Sequence, residues 1–140
     1  METKEISLIK GYHAHLYYNG ENKNHAWKLR REITNRFPDG VVGRWHDKEM
    51  GPHPVSFYQV AFPHEMFAEF VPWLALNRGD LNILIHTSTG DGYLDHSAYA
   101  MWVGPSLELV LGGMWRRRLE RLEAEAAESD KSQAGQLAAE

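Results

Sequence analysis

Hydrophobic and polar positions alternate near the start of the chain and predict a first strand over residues 6–18. Successive side chains of a strand point to opposite faces of its sheet, so one face of this strand is apolar and suits a core. The other face carries His13, His15 and Tyr17. Its two imidazoles lie about 7 Å apart along the strand. Such a pair is either the solvated face of an edge strand or part of a transition-metal site.

The rest of the pattern predicts two helices between strands and a third helix near the end. In the first helix Ala26, Leu29 and Ile33 recur at helical spacing, and a Pro-Asp-Gly turn follows. The last residues, 129–140, are rich in Ala, Ser and Gln, which favours disorder. The predicted elements are strands over 6–18, 41–46, 55–62 and 81–86, helices over 21–37, 63–77 and 114–128, an extended segment over 98–104, and a further short strand over 107–111.

The order β-α-β-β-α-β is typical of the ferredoxin-like fold, an α+β sandwich with both helices on one face of the sheet. The first and third strands are then central, and the fourth lies beside the first. We assign residues 1–112 to this domain and residues 113–140 to a charged helix with a disordered tail. The second face of the sheet is covered by a partner sheet, by the C-terminal elements or by solvent, and the pattern leaves the three open.

Alternation also predicts which side chains meet on the face that carries no helices. If the helices cover the apolar positions of the strands, the opposite face collects an unusual polar set: His13, His15, Gln59 and His86. An incidental polar surface would be richer in Lys, Glu, Thr and Ser. Because neutral imidazole suits Fe, Zn, Cu and Ni, this set predicts a metal site.

The identity of the metal stays open at this point. Iron sites that activate oxygen commonly use two histidines and one carboxylate, yet no carboxylate falls on this face. Glu49, Asp91 and Asp95 are candidates from the loops. An all-histidine site and a structural zinc site closed by four ligands are equally compatible with the pattern.

Two further histidines lie in loops next to the predicted strands. His53 stands between Pro52 and Pro54, just before the third strand, and His96 follows the polar loop after the fourth. Prolines restrict their own backbone and that of the preceding residue, so the loop around His53 is stiff. A stiff loop suits a side chain that must be aimed, although a simple turn with an incidental histidine fits equally well.

Composition narrows the class of protein. The 140 residues suffice for one domain, and 43% are hydrophobic. A formal net charge of −4 does not indicate nucleic-acid binding. The absence of Cys excludes disulfides, thiolate ligands and Cys nucleophiles. The N-terminus is charged and lacks an apolar signal core, and no apolar run approaches membrane-spanning length, so we expect a soluble, cytoplasmic protein.

Six motifs follow one another along the chain: Gly11–Tyr18, Gly51–Pro54, Tyr58–Phe62, Trp73–Gly79, Leu84–Asp91 and Asp95–His96. In this order they resemble the motifs of the DOPA 4,5-dioxygenase family. The resemblance spans roughly residues 8–105 and does not include the charged helix that follows. It implies a dimeric, ferredoxin-like α+β barrel with non-haem Fe(II), which opens a catechol ring by extradiol cleavage with O₂.

The resemblance implies a role for each candidate residue. We expect His13, His15 and His86 near the metal, and His53 and His96 as an acid/base pair or as substrate contacts. Alternatively, His53 is a ligand, and His13 contacts the ligands without binding the metal itself. Tyr17 and Gln59 are expected to bind the substrate; Trp45 and Trp102 fit core or dimer packing better than the pocket.

Two other classes of function compete with the dioxygenase. The first is a non-catalytic dimeric barrel that binds a metal or a small aromatic ligand. The second is an interaction protein that uses its charged C-terminal helix. The dioxygenase hypothesis names DOPA, caffeate or a similar catechol as substrate, with O₂ and Fe(II), in a homodimer without nucleic acid or membrane partners.

Overall fold

The computed structural model describes the backbone of residues 1–139 and the side chains of residues 1–135. It is an α+β fold built on a five-stranded antiparallel sheet with the strand order β2-β3-β1-β4-β5. The strands are β1 (Tyr12–Tyr17), β2 (Val41–His46), β3 (Phe57–Phe62), β4 (Asn82–Thr87) and β5 (Ala100–Val103), and the α-helices are α1 (Lys23–Arg36), α2 (Phe67–Asn77), α3 (Gly92–Asp95) and α4 (Gly112–Ala139).

The predicted position of the first strand is confirmed. β1 lies between β3 and β4, so that His13 faces His86 on β4 and His15 faces Gln59 on β3. The helices α1 and α2 cover the sheet face that carries the alternating apolar residues, and Ile33 and Phe70 are fully buried in this core. The face predicted for the core is therefore the face that the helices cover, and the histidines lie on the other face.

The second face of the sheet is partly covered by the C-terminal elements. Tyr17, Phe57 and Leu84 form a smaller buried cluster there. Trp102 from β5 and Leu107 from the segment after it pack against this cluster. The sequence left open whether a partner sheet, the C-terminal elements or solvent covers this face, and here the C-terminal elements cover part of it. They leave a recess beside β1 and β4.

The ends of several elements differ from the predictions. The first strand starts at Tyr12 rather than at residue 6, because residues Ile6–Leu8 form a short 3₁₀ helix outside the sheet. The segment 107–111 is not a strand. The predicted disorder after residue 128 is not observed, since α4 continues to Ala139; Ala, Glu and Gln are strong helix formers. Glu140 lies outside the described residues.

In the described part of the chain, no helix combines the length and the apolar character that crossing a membrane requires.

Candidate metal centre

Five of the eight histidines line one cavity of about 370 Å³ beside β1 and β4. We call it the histidine cavity. Gln59 of β3 and Met114 of α4 also line it. The five histidines come from two strands, the Pro-flanked loop and the end of α3, so the fold collects them from four parts of the chain: His13, His15, His53, His86 and His96.

The strand histidines meet as the alternation predicts. Nε2 of His15 and Nε2 of His86 are 3.0 Å apart, and the ring centroids of His13 and His86 are 5.0 Å apart. The ligand nitrogens of these three residues lie within 4.8 Å of one another. Neutral imidazoles at this separation form a group that could hold a metal ion.

The loop histidines join the same cluster. His53 stacks on His15 with ring centroids 4.0 Å apart, and His96 lies at the same distance from His86. His15, His53 and His96 form a second group whose ligand nitrogens lie within 4.8 Å of one another. His15 belongs to both groups. The first group is the predicted ligand set, whereas the second contains His53, the predicted alternative ligand, together with His96, which was not predicted as a ligand.

The backbone and Tyr17 fix the orientation of three rings. Nδ1–H of His86 donates to the carbonyl of Thr87, and Nδ1–H of His96 donates to the carbonyl of Gly92, both over 2.8 Å. The neutral rings then carry the lone pair on Nε2. The Tyr17 hydroxyl is 2.6 Å from Nδ1 of His53. Metal-binding histidines typically have such a partner on the other nitrogen.

One ring nitrogen of His15 has no hydrogen-bond partner among residues 1–135. Because His86 uses Nδ1–H on a carbonyl, its Nε2 must accept from Nε2–H of His15, which leaves a lone pair on Nδ1 of His15. That Nδ1 is buried without a hydrogen-bond partner. A buried, unpartnered nitrogen in a cluster of imidazoles fits a site that binds a cation.

The cluster is held in the neutral, metal-binding form. Burial, and then the repulsion of neighbouring imidazoles, lowers the pKa of His53 to about 4 and the pKa of His86 to about 3. The same two causes put the pKa of His15 well below its ordinary value. At neutral pH no proton therefore competes with a metal for the nitrogens of these rings.

The loop carboxylates have other partners. Asp95 is buried and accepts hydrogen bonds from the hydroxyls of Thr87 and Thr89 at 2.7 and 2.8 Å, and from the backbone N–H of Thr89. Asp91 accepts from the backbone of Leu94 at the start of α3. Asp95 thus fixes the loop that carries His96, and both groups of candidate ligands consist of histidines alone among the described residues.

The predicted substrate contacts are placed differently. Gln59 lines the histidine cavity, whereas Tyr17 is 1% exposed and is not part of its lining. Tyr17 lies behind His53, because its side chain is held between that ring and Trp102. In this structure Tyr17 is therefore placed to contact His53 rather than a molecule in the histidine cavity, and its predicted contact with substrate stays a prediction. Trp45 stacks on Tyr18, on the helix side of the sheet, which confirms core packing for Trp45.

Met114 is a lining residue that the sequence pattern did not indicate. Its side chain lines the histidine cavity from α4, and its terminal carbon lies 3.8 Å from the position that a Cβ would take on Gly92. The only sequence signal was a Met in the first turn of the charged helix. The remaining histidines, His25, His46 and His64, do not line the cavity.

Comparisons with known proteins place the chain in a family. The model of the Dopa 4,5-dioxygenase family matches residues 12–112. This chain belongs to the Dopa 4,5-dioxygenase family. It is 34% identical over 122 residues to DOPA 4,5-dioxygenase of Amanita muscaria, a match that covers 81% of this chain and 54% of the fungal protein. The family was predicted from the motifs, and its assignment is confirmed.

Two further relatives extend the comparison. An uncharacterized 21.2 kDa protein of Botryotinia fuckeliana is 36% identical over 132 residues, covering 86% of this chain and 72% of that protein. A crystal structure from Nostoc punctiforme, described as a "putative dioxygenase", is 41% identical and superimposes with a TM-score of 0.78. That match covers 82% of this chain and 98% of the cyanobacterial chain. The family and these relatives support an oxygenase enzyme.

Proposed function

We propose that the chain is a non-haem Fe(II)-dependent extradiol dioxygenase that opens the ring of DOPA, caffeate or a similar catechol with O₂. One observation carries the proposal: five histidines, of which His15, His53 and His86 are buried, converge on a single cavity in a member of this family. A non-catalytic barrel would need no such concentration of imidazoles in a cavity large enough for a small aromatic molecule.

In this proposal His13, His15 and His86 hold the iron, and His53 and His96 face the substrate. Fe(II) held there would supply a Lewis acid for the catechol oxygens and a redox centre through which electrons pass from the catechol to O₂. Neutral ligands leave the cation's charge uncompensated, which favours a negatively charged catecholate in the cavity. Gln59 offers an amide to orient the ring.

The chain's own acid/base groups are His53 and His96. Nδ1–H of His96 donates to the carbonyl of Gly92, so Nε2 of that ring is available to take a proton. Nε2 of His53 is available in the same way in the tautomer whose Nδ1–H donates to the Tyr17 oxygen. A low pKa keeps His53 unprotonated before substrate arrives. The negative charge of a bound catecholate would raise that pKa, so the same ring can then hold the proton and return it.

The decisive experiment is anaerobic reconstitution with Fe(II), followed by air and DOPA or caffeate, with absorbance recorded for a yellow ring-opened product. We expect product and oxygen uptake with Fe(II), and neither with Zn(II), which has no redox chemistry. Stoichiometric metal without product across a panel of catechols would favour the non-catalytic barrel instead.

Replacing Tyr17 by Phe tests its positioning role. The change removes the hydroxyl from His53 Nδ1 and leaves that nitrogen buried and unpaired. We expect turnover to fall about 10- to 100-fold while the iron content stays stoichiometric, because His53 is not among the proposed ligands.

Tyr18→Phe is the matched control for Tyr17→Phe. It removes a neighbouring hydroxyl that bonds Asp47 and the carbonyl of His46 on the other side of the sheet. Turnover of this variant should equal that of the wild type. Equal losses in the two variants would show that Tyr17 acts only through general stability.

We propose the ferredoxin-like fold as well, since β1 to β4 have the strand order and helix placement expected of it. The homodimer, the closed barrel it would form and the cytoplasmic location stay predictions.

A further inference from the structure

A second cavity adjoins the histidine cavity, and arginines of α4 line it. Its volume is also about 370 Å³, and we call it the arginine cavity. The two cavities share Gly90, Gly92 and Met114 as lining residues. A ligand in the histidine cavity can therefore extend past Met114 toward the arginines. The guanidinium groups belong to Arg117, Arg118 and Arg121.

The charge of the arginine cavity is positive. Asp91 is the only carboxylate in its lining, and it is paired with Nε of Arg118 at 2.8 Å and with Nη2 of Arg121 at 3.1 Å. Arg121 also lies 3.8 Å from Glu125. Arg117 has no ion-pair partner among residues 1–135. The guanidinium of Arg117 is therefore available to bind an anionic ligand.

The fold holds this arginine next to the candidate metal centre. The Asp91–Arg118 pair, partly buried, ties the first turns of α4 to the loop before α3, the helix that carries His96 at its end. Tyr93 and Trp115 pack with ring centroids 4.9 Å apart and strengthen the same contact. Consequently α4 has a defined position over the site, although all of it after Gly112 lies outside residues 12–112, which match the family model.

We propose that Arg117 is a specificity-determining residue that binds the carboxylate of an aromatic acid whose ring occupies the histidine cavity. The inference rests on the proposed function and assigns to one residue the carboxylate that DOPA and caffeate both carry. A guanidinium binds a carboxylate through charge-assisted hydrogen bonds, which are about twice as strong as neutral ones. The site would accept a neutral catechol of the same shape less well.

Binding to the metal-free protein tests this without turnover. The probes are 3-(4-hydroxyphenyl)propanoate and its primary amide, titrated by calorimetry into the full chain. We expect the wild type to bind the acid about tenfold more tightly than the amide, the gain of one charge-assisted contact. Arg117→Gln should abolish the preference, and Arg117→Lys should keep part of it.

Arg116→Gln is the matched control, since Arg116 is exposed and lines neither cavity. It should bind both probes as the wild type does. The proposal is overturned if the wild type does not distinguish acid from amide, if it binds neither probe, or if Arg117→Gln retains the preference.

Turnover distinguishes a failure of this inference from a failure of the proposed function. With Fe(II), we expect Arg117→Gln to raise KM for dihydrocaffeate about tenfold and to leave KM for its methyl ester unchanged. If Fe(II) protein opens no catechol while the metal-free protein still prefers the acid through Arg117, the dioxygenase proposal fails and the carboxylate site stands. Ring opening with equal KM changes for acid and ester would support the dioxygenase and reject the role of Arg117.

Discussion

His86→Ala is expected to abolish ring opening, lowering turnover by about a thousandfold or more. His86 contacts His15 across β1 and β4, and it belongs to the group of strand histidines that could share a cation. Its Nδ1 is already committed to the Thr87 carbonyl, so Nε2 is the nitrogen that would bind a metal, in place of the hydrogen bond that it accepts from His15 in the metal-free protein. We expect the iron content of the purified, reconstituted variant to fall far below one per chain.

The control for His86→Ala is His64→Ala, which removes a solvent-exposed imidazole. His64 contacts the hydroxyl of Tyr12 and does not line the histidine cavity. This variant should bind iron and turn over like the wild type, and circular dichroism should show both variants folded. Full iron content and normal product formation in folded His86→Ala would contradict the proposed metal centre.

A second pair of variants separates the two possible ligand sets. If the strand histidines hold the iron, His13→Ala should weaken metal binding, whereas His53→Ala should leave binding intact and slow the reaction. If instead His53→Ala weakens metal binding and His13→Ala does not, His53 is a ligand and His13 only contacts the ligands. Metal affinity and turnover at saturating metal must therefore be measured separately.

The strand half of the site was predictable because strand geometry is local. Alternation alone placed His13 and His15 on the face opposite the apolar residues, and the register of an antiparallel sheet brought His86 opposite His13. Periodicity does not specify how far a strand extends. Residues Ile6–Leu8 are apolar enough for a strand but form a 3₁₀ helix, and the sheet pairing begins only near Gly11, beside Ser88.

The loop half depends on long-range contacts that no pattern reports. His53 reaches the cavity because residues Met50–His53 close a tight turn in which Gly51 has a φ of +56°. The backbone N–H of Val110, 58 residues further along, bonds the carbonyl of Pro52 and holds that turn. The sequence indicated a stiff loop, but its direction follows from this distant partner.

The role of α4 was predicted least well. Its charged composition indicated a solvated helix, yet its first turns contact the site through Met114 and through the bond between Arg118 and Asp91. Helical periodicity identifies the faces of a helix but not the surface on which the helix lies. The interaction-protein hypothesis loses part of its support, since two basic residues of this helix, Arg118 and Arg121, already pair with Asp91.

Acid is expected to destabilise the metal-free protein well above the pH range in which carboxylates titrate. In the unfolded chain a histidine has a pKa near 6.5, whereas folding lowers the pKa of His53 to about 4 and of His86 to about 3. Above pH 6.5 both states are neutral and these groups contribute nothing. Below it, the unfolded chain binds protons that the folded chain excludes, so the free energy of unfolding falls as the pH falls.

The expected size follows from the unfolded and folded pKa values. Between pH 7 and pH 5 the loss is about 2 kcal/mol for each of these two histidines, and it continues until the folded rings are themselves protonated. Urea unfolding in the presence of a chelator, measured at half-unit steps of pH, would show the slope. His53→Asn should remove the part that His53 contributes, about 2 kcal/mol, whereas His64→Asn, which does not touch the cluster, should leave the cluster's loss in place. A free energy of unfolding that is flat from pH 7 to pH 5 would mean that the cluster accepts protons in the folded state, and then metal binding at neutral pH would not be favoured by neutral rings.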